Sequence, residues 1–241
     1  MSTQHTPSGN SRKTRNTRKI AAIAAGALVV GIGATYTLAS WNDSEWVWGG
    51  AGGVPGVGTS TFEVRQNTTS PFSDVEPSWA NRETNSGGGL TFTAGAITLS
   101  PGDTIYAPVA LRTTSDSAAA TVTLNQAVPA TGVTVVDNNQ DLWKSIRVTV
   151  YTEKRTTPAG PTHTCTAANA ASWGTPLISD VTLDTAASTT QTLDAQAGST
   201  QHYCFALRLP ATLQAGLTAT SLDALQGRTI APAWEFRSVS G

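Results

Sequence analysis

The sequence predicts an all-β protein, an antiparallel jelly-roll-like β-sandwich over residues 59–241. Charged residues make up only 13% of the chain, and Thr, Ser, Asn, Gln and Gly carry most of its polarity. These residue types favour strands and turns over helices. Eight or more short stretches alternate apolar and polar residues between turn signals, a spacing typical of sandwiches and jelly rolls.

The first half of this region contains one strongly marked strand. The turn signal at 100–103 precedes it, and its apolar residues then alternate with residues of the opposite face. Pro108 inside that strand favours an edge position or a bulge. The elements predicted here are a strand over 61–65, a polar loop over 67–89, strands over 90–92 and 97–99 around a turn at 94–95, and strands over 104–111 and 119–124.

The second half contains two stretches with a clear inward face. Tyr203, Phe205, Leu207 and Leu209 give the first of them its inward face, and the second is the final alternating strand, with Ile230, Pro232, Trp234 and Phe236. The predicted elements are strands over 132–136, 146–151, 181–183, 192–193, 203–209 and 230–236, polar loops over 137–141 and 156–161, and a helical turn over 217–225 that Gly227 closes.

Residues 1–39 have the pattern of an export signal. A basic, acid-free region over 1–19 precedes an apolar segment over 20–38 that is rich in Ala and Gly. Small residues before the junction favour cleavage between Ala39 and Ser40. The apolar run is also long enough to span a bilayer, so a retained membrane anchor is the alternative. Contact with a membrane is expected only through this uncleaved segment.

Residues 40–58 predict a mobile arm rich in Trp and Gly. Trp41, Trp46 and Trp48 precede a run dominated by Gly and Pro, which favours a flexible tether. Trp46 and Trp48 would face the same side of an extended strand. The tryptophans either fold back on the domain or anchor the arm on a partner.

Charge and motifs exclude several classes of function. Five of the 15 basic residues precede Ala39 and no acidic residue does, so the remaining 202 residues carry 10 basic and 16 acidic side chains. A net charge of −6 does not favour binding to nucleic acid. No catalytic triad, paired carboxylates or metalloprotease motif is visible, so we predict no catalytic residues, no cofactor and no enzyme activity.

The two cysteines, Cys165 and Cys204, predict one disulfide in an exported protein. Each lies two residues after a histidine, so His163, Cys165, His202 and Cys204 are an alternative zinc site. The alternation around Tyr203 places Cys204 on the outer face of its strand. The run 137–141 is similar to half of a calcium loop, but it lacks the glycine and the distal glutamate.

The leader resembles a known group of bacterial signals. The sequence A-T-Y-T-L-A-S-W-N-D-S-E after the apolar run is similar to signal peptides processed by the SipW-type signal peptidase. These occur on the TasA and camelysin family of Gram-positive surface and biofilm matrix proteins. The L-S-P-G-D sequence at 99–103 and the L-Q-G-R sequence at 225–228 are similar to the entries to two of that family's core strands.

The resemblance implies a jelly-roll sandwich, export by way of a SipW-type peptidase, and assembly into matrix fibres. In that family the mature N-terminus can add as a strand to the next subunit. The Gly-rich tether, the loop over 67–89 and the cysteine pair depart from the pattern. A protease activity is not carried over from camelysin, because the chain has no H-E-x-x-H motif.

Three functions follow as hypotheses. The first is an exported structural protein of the cell surface or matrix that self-associates into filaments by strand addition of its arm. The second is a monomeric surface module that binds carbohydrate or protein through Trp79, Trp143 or Trp173. The third, with the least support, is a hydrolase.

Overall fold

The computed structural model describes residues 61–69, 72, 75–93, 95–156 and 160–241. Eight strands there form two antiparallel sheets with one short α-helix, which confirms the predicted all-β sandwich. The predicted signal, its cleavage site at Ala39 and Ser40, and the arm with Trp41, Trp46 and Trp48 lie outside the described residues. None of the described helices has the length and apolar character needed to span a membrane.

The two sheets differ in size. The larger has the strand order β1-β2-β7-β4-β5 and the smaller has the order β6-β3-β8. The strands are β1 (Val64–Asn67), β2 (Thr104–Thr113), β3 (Ala120–Pro129), β4 (Arg147–Arg155), β5 (Ile178–Thr182), β6 (Gln191–Leu193), β7 (Thr200–Arg208) and β8 (Pro232–Ser240), and the helix is α1 (Asp141–Ser145). Short 3₁₀ turns cover Glu76–Ser78, Asn138–Gln140, Ala170–Trp173 and Leu222–Leu225.

The core forms where the inward faces of β7 and β8 meet. Tyr203 and Phe205 of β7 are fully buried. The ring of Tyr203 lies 4.7 Å from that of Phe236, and the ring of Phe205 lies 4.8 Å from that of Trp234. Tilted aromatic pairs at this distance add to the free energy gained by burial. These two contacts therefore hold the small sheet against the large one.

The strongly alternating stretches form strands as predicted, and Pro108 lies where a strand tolerates it. The register pairs β1 with β2 only from Asn67 opposite Ala110 onward. Pro108 lies before that point, opposite Cys204 of β7 on its other side. Tyr106, two residues earlier, bonds on the side away from β7 with Thr93. The N–H that proline lacks would therefore point to a side where β2 has no neighbouring strand.

Three predicted strands are wrong, those over 90–92, 97–99 and 132–136. Leu90 and Phe92 pack against the core from a loop. Ile97 is 94% exposed, so its segment has no buried face. Val136 bonds with Thr229 through both its N–H and its C=O, and this single contact does not extend into a ladder.

The predicted polar loop at 137–141 is instead a 3₁₀ turn followed by α1. The carboxylate of Asp137 accepts hydrogen bonds from the backbone N–H groups of Leu142 (3.0 Å) and Trp143 (2.9 Å). These are N–H groups that a helix start leaves without partners. The helical turn predicted over 217–225 is found in its last four residues.

Candidate functional site

Three of the four edges of the sheets that the described strands form are blunted. β1 has only four residues, and Gln66 exchanges both backbone hydrogen bonds with Ala80 outside the sheet. β6 has only three residues. β5 pairs irregularly with β4, Asp180 in it has a φ of 48°, and its carboxylate binds Arg208 at 2.7 Å. Short strands, irregular pairing and charge all prevent a sheet from accepting a further strand.

The fourth edge, β8, is long and regular. It has nine residues, and no described strand pairs with the side of it that faces away from β3. The C=O of Ala231 accepts from Ala130, and the N–H of Gly241 donates to Ala119. Since peptide groups alternate sides along a strand, those of Trp234, Phe236 and Ser238 point away from β3. These backbone groups form an open template for another strand.

A groove of about 800 Å³ runs beside this edge, between β8 and the β1–β2 side of the large sheet. We call it the acceptor groove. Side chains that reach it from the two sheets are largely apolar, and they include Val109, Leu111, Phe205, Trp234 and Phe236. Phe62, Val128 and Val133 line it and are 41%, 41% and 50% exposed. Exposed apolar groups around a concave site are typical of a binding surface.

One end of the acceptor groove is crossed by residues 81–90, which we call the strap. Asn85 in the strap donates to the C=O of Pro129 (3.0 Å) and accepts from the N–H of Thr131 (3.1 Å). Pro129 is opposite Pro232 at the start of β8. The strap follows the sheet closely, because a Cβ on Gly88 would lie 2.8 Å from the side chain of Gln66.

The chain enters the described part at the other end of the groove. The C=O of Thr61 accepts from Ala118, and Ala119 accepts from Gly241 directly after β8. Phe62, the next residue, already lines the groove. The described part of the chain therefore begins at the rim of the groove, at the end opposite the strap.

The outer face of β8 carries two opposite charges two residues apart. Glu235 and Arg237 are both exposed. Glu235 accepts a hydrogen bond of 2.6 Å from Asn125. The side chain of Arg237, opposite Thr123, makes no hydrogen bond or ion pair with another described residue. This cation stands beside the open edge with its hydrogen-bonding capacity unused within the described part of the chain.

Cys165 and Cys204 are bonded, which confirms the predicted disulfide. Cys204 lies on the face of β7 opposite the core, as predicted, and it is fully buried there. Cys165, Ala170 and Trp173 cover it, and Tyr106 and Tyr151 pack around them. Both sulfurs are part of this bond, so neither cysteine can bind zinc as a thiolate at the alternative site.

His202 is 1% exposed and lies in the same face as Cys204, opposite Glu153 of β4. Phe72 packs on it with a ring distance of 5.0 Å. Burial acts to raise the pKa of Glu153, but hydrogen bonds from Thr162 and the nearby charge of Arg155 outweigh it, so this pKa is lowered. His163 is partly exposed. Among the described residues, no cluster of three or more His, Cys, Asp or Glu could hold a metal ion.

The tryptophans predicted as a surface platform are all buried, which corrects that hypothesis. Trp79, Trp143 and Trp173 are only 5%, 8% and 8% exposed. Arg112 stacks over the ring of Trp79 at 4.2 Å, and the indole N–H of Trp143 donates to Asp184 at 3.0 Å. Their role in this fold is packing, because a ligand could not reach their faces.

The acidic run at 137–141 also has a structural role. Arg228 binds the carboxylates of Asp137 and Asp141, each at 3.2 Å. The carboxylate of Asp141 also accepts from the hydroxyl of Thr218 (2.7 Å) and from its N–H (2.8 Å). The Thr218 hydrogen bonds and the charge of Arg228 lower the pKa of Asp141. The carboxylates thus join three loops, and their charge is paired with the guanidinium of Arg228.

Sequence reasoning located the strands that border the acceptor groove but not the groove itself. Trp234 and Phe236 were predicted to alternate along the final strand, and in the structure both pack against the core. Comparison with protein-family models, with curated proteins and with solved structures yields no match.

Proposed function

We propose that the protein is an exported structural subunit of the cell surface or extracellular matrix that self-associates by strand addition. In this mechanism the arm over 40–58 of one copy pairs with β8 of the next copy. Export and release of the arm depend on the signal predicted over 1–39. One observation carries the proposal: β8 is a nine-residue edge without a partner among the described strands, and it borders an apolar groove.

Backbone geometry supports β8 as the acceptor. Its outward peptide groups at Trp234, Phe236 and Ser238 would supply the hydrogen bonds of a new ladder. The side chains of Trp234 and Phe236 already face the groove. An added strand would place alternate side chains on this apolar surface, where affinity arises from the backbone and specificity from the pockets.

The arm has the chemistry that such a groove requires. Trp46 and Trp48 share one face of an extended strand, and aromatic anchors dominate the energy of many interfaces. The glycine-rich part of the arm gives it reach between copies. A head-to-tail contact of this kind does not close on itself, so it builds filaments.

The first test removes one outward hydrogen-bond donor from β8. Ser238→Pro deletes an N–H that points away from β3, so the ladder with β3 remains intact. We expect the variant to fold and to lose filaments in electron micrographs and sedimentation, whereas the matched control Ser238→Ala retains them. Filaments that persist in Ser238→Pro, or an exported wild-type protein that stays monomeric at every concentration, would contradict the proposal.

The second test addresses the release of the arm. N-terminal sequencing of protein from the culture medium should begin at Ser40. A variant that blocks cleavage, such as Ala39→Asp, should reach the surface but remain membrane-anchored and fail to assemble. Assembly of the uncleaved variant would show that cleavage does not control the arm.

A further inference from the structure

We propose that β8 also mediates a symmetric dimer, in which the β8 strands of two copies pair antiparallel and join the two small sheets into one six-stranded sheet. Arm pairing and this dimer would use the same outward side of β8, so the dimer forms between copies whose β8 carries no arm. The proposal rests on the open edge of β8 and on the positions of two charges along it.

The alternation of peptide groups restricts the register. The outward groups of β8 belong to Trp234, Phe236 and Ser238, so even-numbered residues must face even-numbered residues of the second copy. Three central registers remain, with the two-fold axis at residue 235, 236 or 237. A two-fold axis is expected, because both copies present the same strand.

Charge selects one of these three registers. An axis at Phe236 places Glu235 opposite Arg237 of the second copy, and it does so twice. An axis at Glu235 would put two carboxylates opposite each other, and an axis at Arg237 would do the same with two guanidinium groups. Opposite charges across paired strands stabilise a sheet, and like charges destabilise it. The pairing at Phe236 is therefore the one that the sequence of β8 favours.

The neighbouring positions are compatible with this register. Val239, which is 52% exposed, would lie opposite Ala233 of the second copy and lose part of its contact with water. Arg237, which binds no described acidic group within its own chain, would gain a carboxylate partner. A single pair of edge strands is smaller than a standard interface, so we expect a weak dimer with a dissociation constant on the order of 10 micromolar or more.

Charge reversal tests the dimer. Arg237→Glu places like charges opposite each other twice, so we expect its dissociation constant in sedimentation equilibrium to rise at least about tenfold. The double variant Glu235→Arg/Arg237→Glu restores both pairs and should recover the dimer. Lys144→Glu on α1, with the same change in net charge, is the matched control. A wild-type protein that is monomeric well above the expected dissociation constant, or a double variant that does not recover, would overturn the proposal.

Cysteine cross-linking tests the register. Positions 235 and 237 of two copies form a non-hydrogen-bonded pair, in which the Cα atoms lie about 4.5 Å apart. An equimolar mixture of Glu235→Cys and Arg237→Cys should therefore form mixed disulfide dimers faster than either variant alone. Faster cross-linking of Glu235→Cys with itself, or of Arg237→Cys with itself, would place the axis at residue 235 or 237 and overturn the register.

The dimer and the filament can be tested separately. Replacing Trp41, Trp46 and Trp48 with Ala should abolish filaments and free the edge of β8, so the dimer should persist or become stronger. Loss of the dimer in this variant would mean that the arm forms it, and the proposal for β8 would be wrong.

Discussion

The edge strands β5 and β8 belong to different sheets of one sandwich, and they differ in how well they could accept a further strand. β5 is shortened to five residues, pairs irregularly with β4 and holds Asp180 against Arg208. β8 is nine residues long, and its pairing irregularity lies in β3 rather than in itself. Natural sheets protect their edges against unwanted pairing. The proposed strand addition therefore rests on β8, the edge that has no second neighbour among the described strands and borders an apolar groove.

The two faces of the large sheet show the same contrast. The face opposite the core is covered at β7 by a segment that the Cys165–Cys204 disulfide fixes, and Phe72 covers His202 on the same strand. The core face instead borders the acceptor groove at Val109, Leu111 and Phe205, although these residues are at most 3% exposed. The outer face is thus covered by a segment held by a disulfide, whereas the core face lies beside an open groove.

The largest effect on stability is expected from truncating Phe205, which joins the two sheets. Phe205 is fully buried and packs on Trp234 and Phe236. Phe205→Ala should lower the free energy of unfolding by about 3–5 kcal/mol, because a large cavity would separate the sheets. Urea unfolding followed by tryptophan fluorescence measures this change. A loss below 1 kcal/mol would mean that the sheets are held together elsewhere.

Removing the covalent tie on the protected side should have the next largest effect. The disulfide closes a loop of 39 positions. Replacing both cysteines with Ser should lower the free energy of unfolding by about 2–4 kcal/mol, since the unfolded chain gains conformational freedom. Denaturant unfolding of the oxidised wild type and the double variant gives the comparison. Filament formation should persist in the folded variant, because β8 is on the other sheet.

Acid should lower the stability of the fold through Asp141, whose carboxylate joins several loops. Its pKa is lowered in the folded protein, so the carboxylate stabilises the fold above the unfolded pKa of about 3.9. That contribution is lost as the pH falls through the lower, folded pKa. Urea unfolding between pH 7 and pH 3 should therefore show a smaller acid loss in Asp141→Asn than in wild type. The exposed control Asp223→Asn should follow the wild-type curve.

The smallest effect on stability is expected at the open edge itself. Val239 on β8 is 52% exposed, so Val239→Lys should change the free energy of unfolding by less than about 0.5 kcal/mol. A lysine on an edge strand opposes pairing with another chain. Light scattering of concentrated protein should show reduced self-association, with an unchanged melting temperature. Unchanged self-association would argue that β8 is not the contact.

The sequence alone could identify the strands that alternate over many residues. β2, β4, β7 and β8 were predicted because a face buried on one side imposes a period of two. The predicted strand over 90–92 was wrong because apolar residues in a loop, here Leu90 and Phe92, can pack on a core without pairing with another strand. The disulfide was predictable from a cysteine count, but the burial of Cys204 was not, because the covering segment comes from a distant part of the chain.

The acceptor groove could not be predicted for a related reason. Trp234 and Phe236 show that β8 has a buried face, but no local pattern tells whether a strand has one neighbour or two. That depends on the strand order, in which β8 follows β3 at the end of the small sheet. The strap is equally remote in sequence, because Asn85 contacts Pro129 across 44 positions.

The disulfide also determines how the protein would respond to a pulling force. In the proposed filament, tension would enter through the chain at Thr61 and leave through β8. Cys165–Cys204 encloses β5, β6 and part of β7, so these 39 positions cannot extend while the bond is intact. Reduction would release about 130 Å of additional chain length. In the oxidised environment outside a cell, the same bond would make each subunit a shorter and stiffer link.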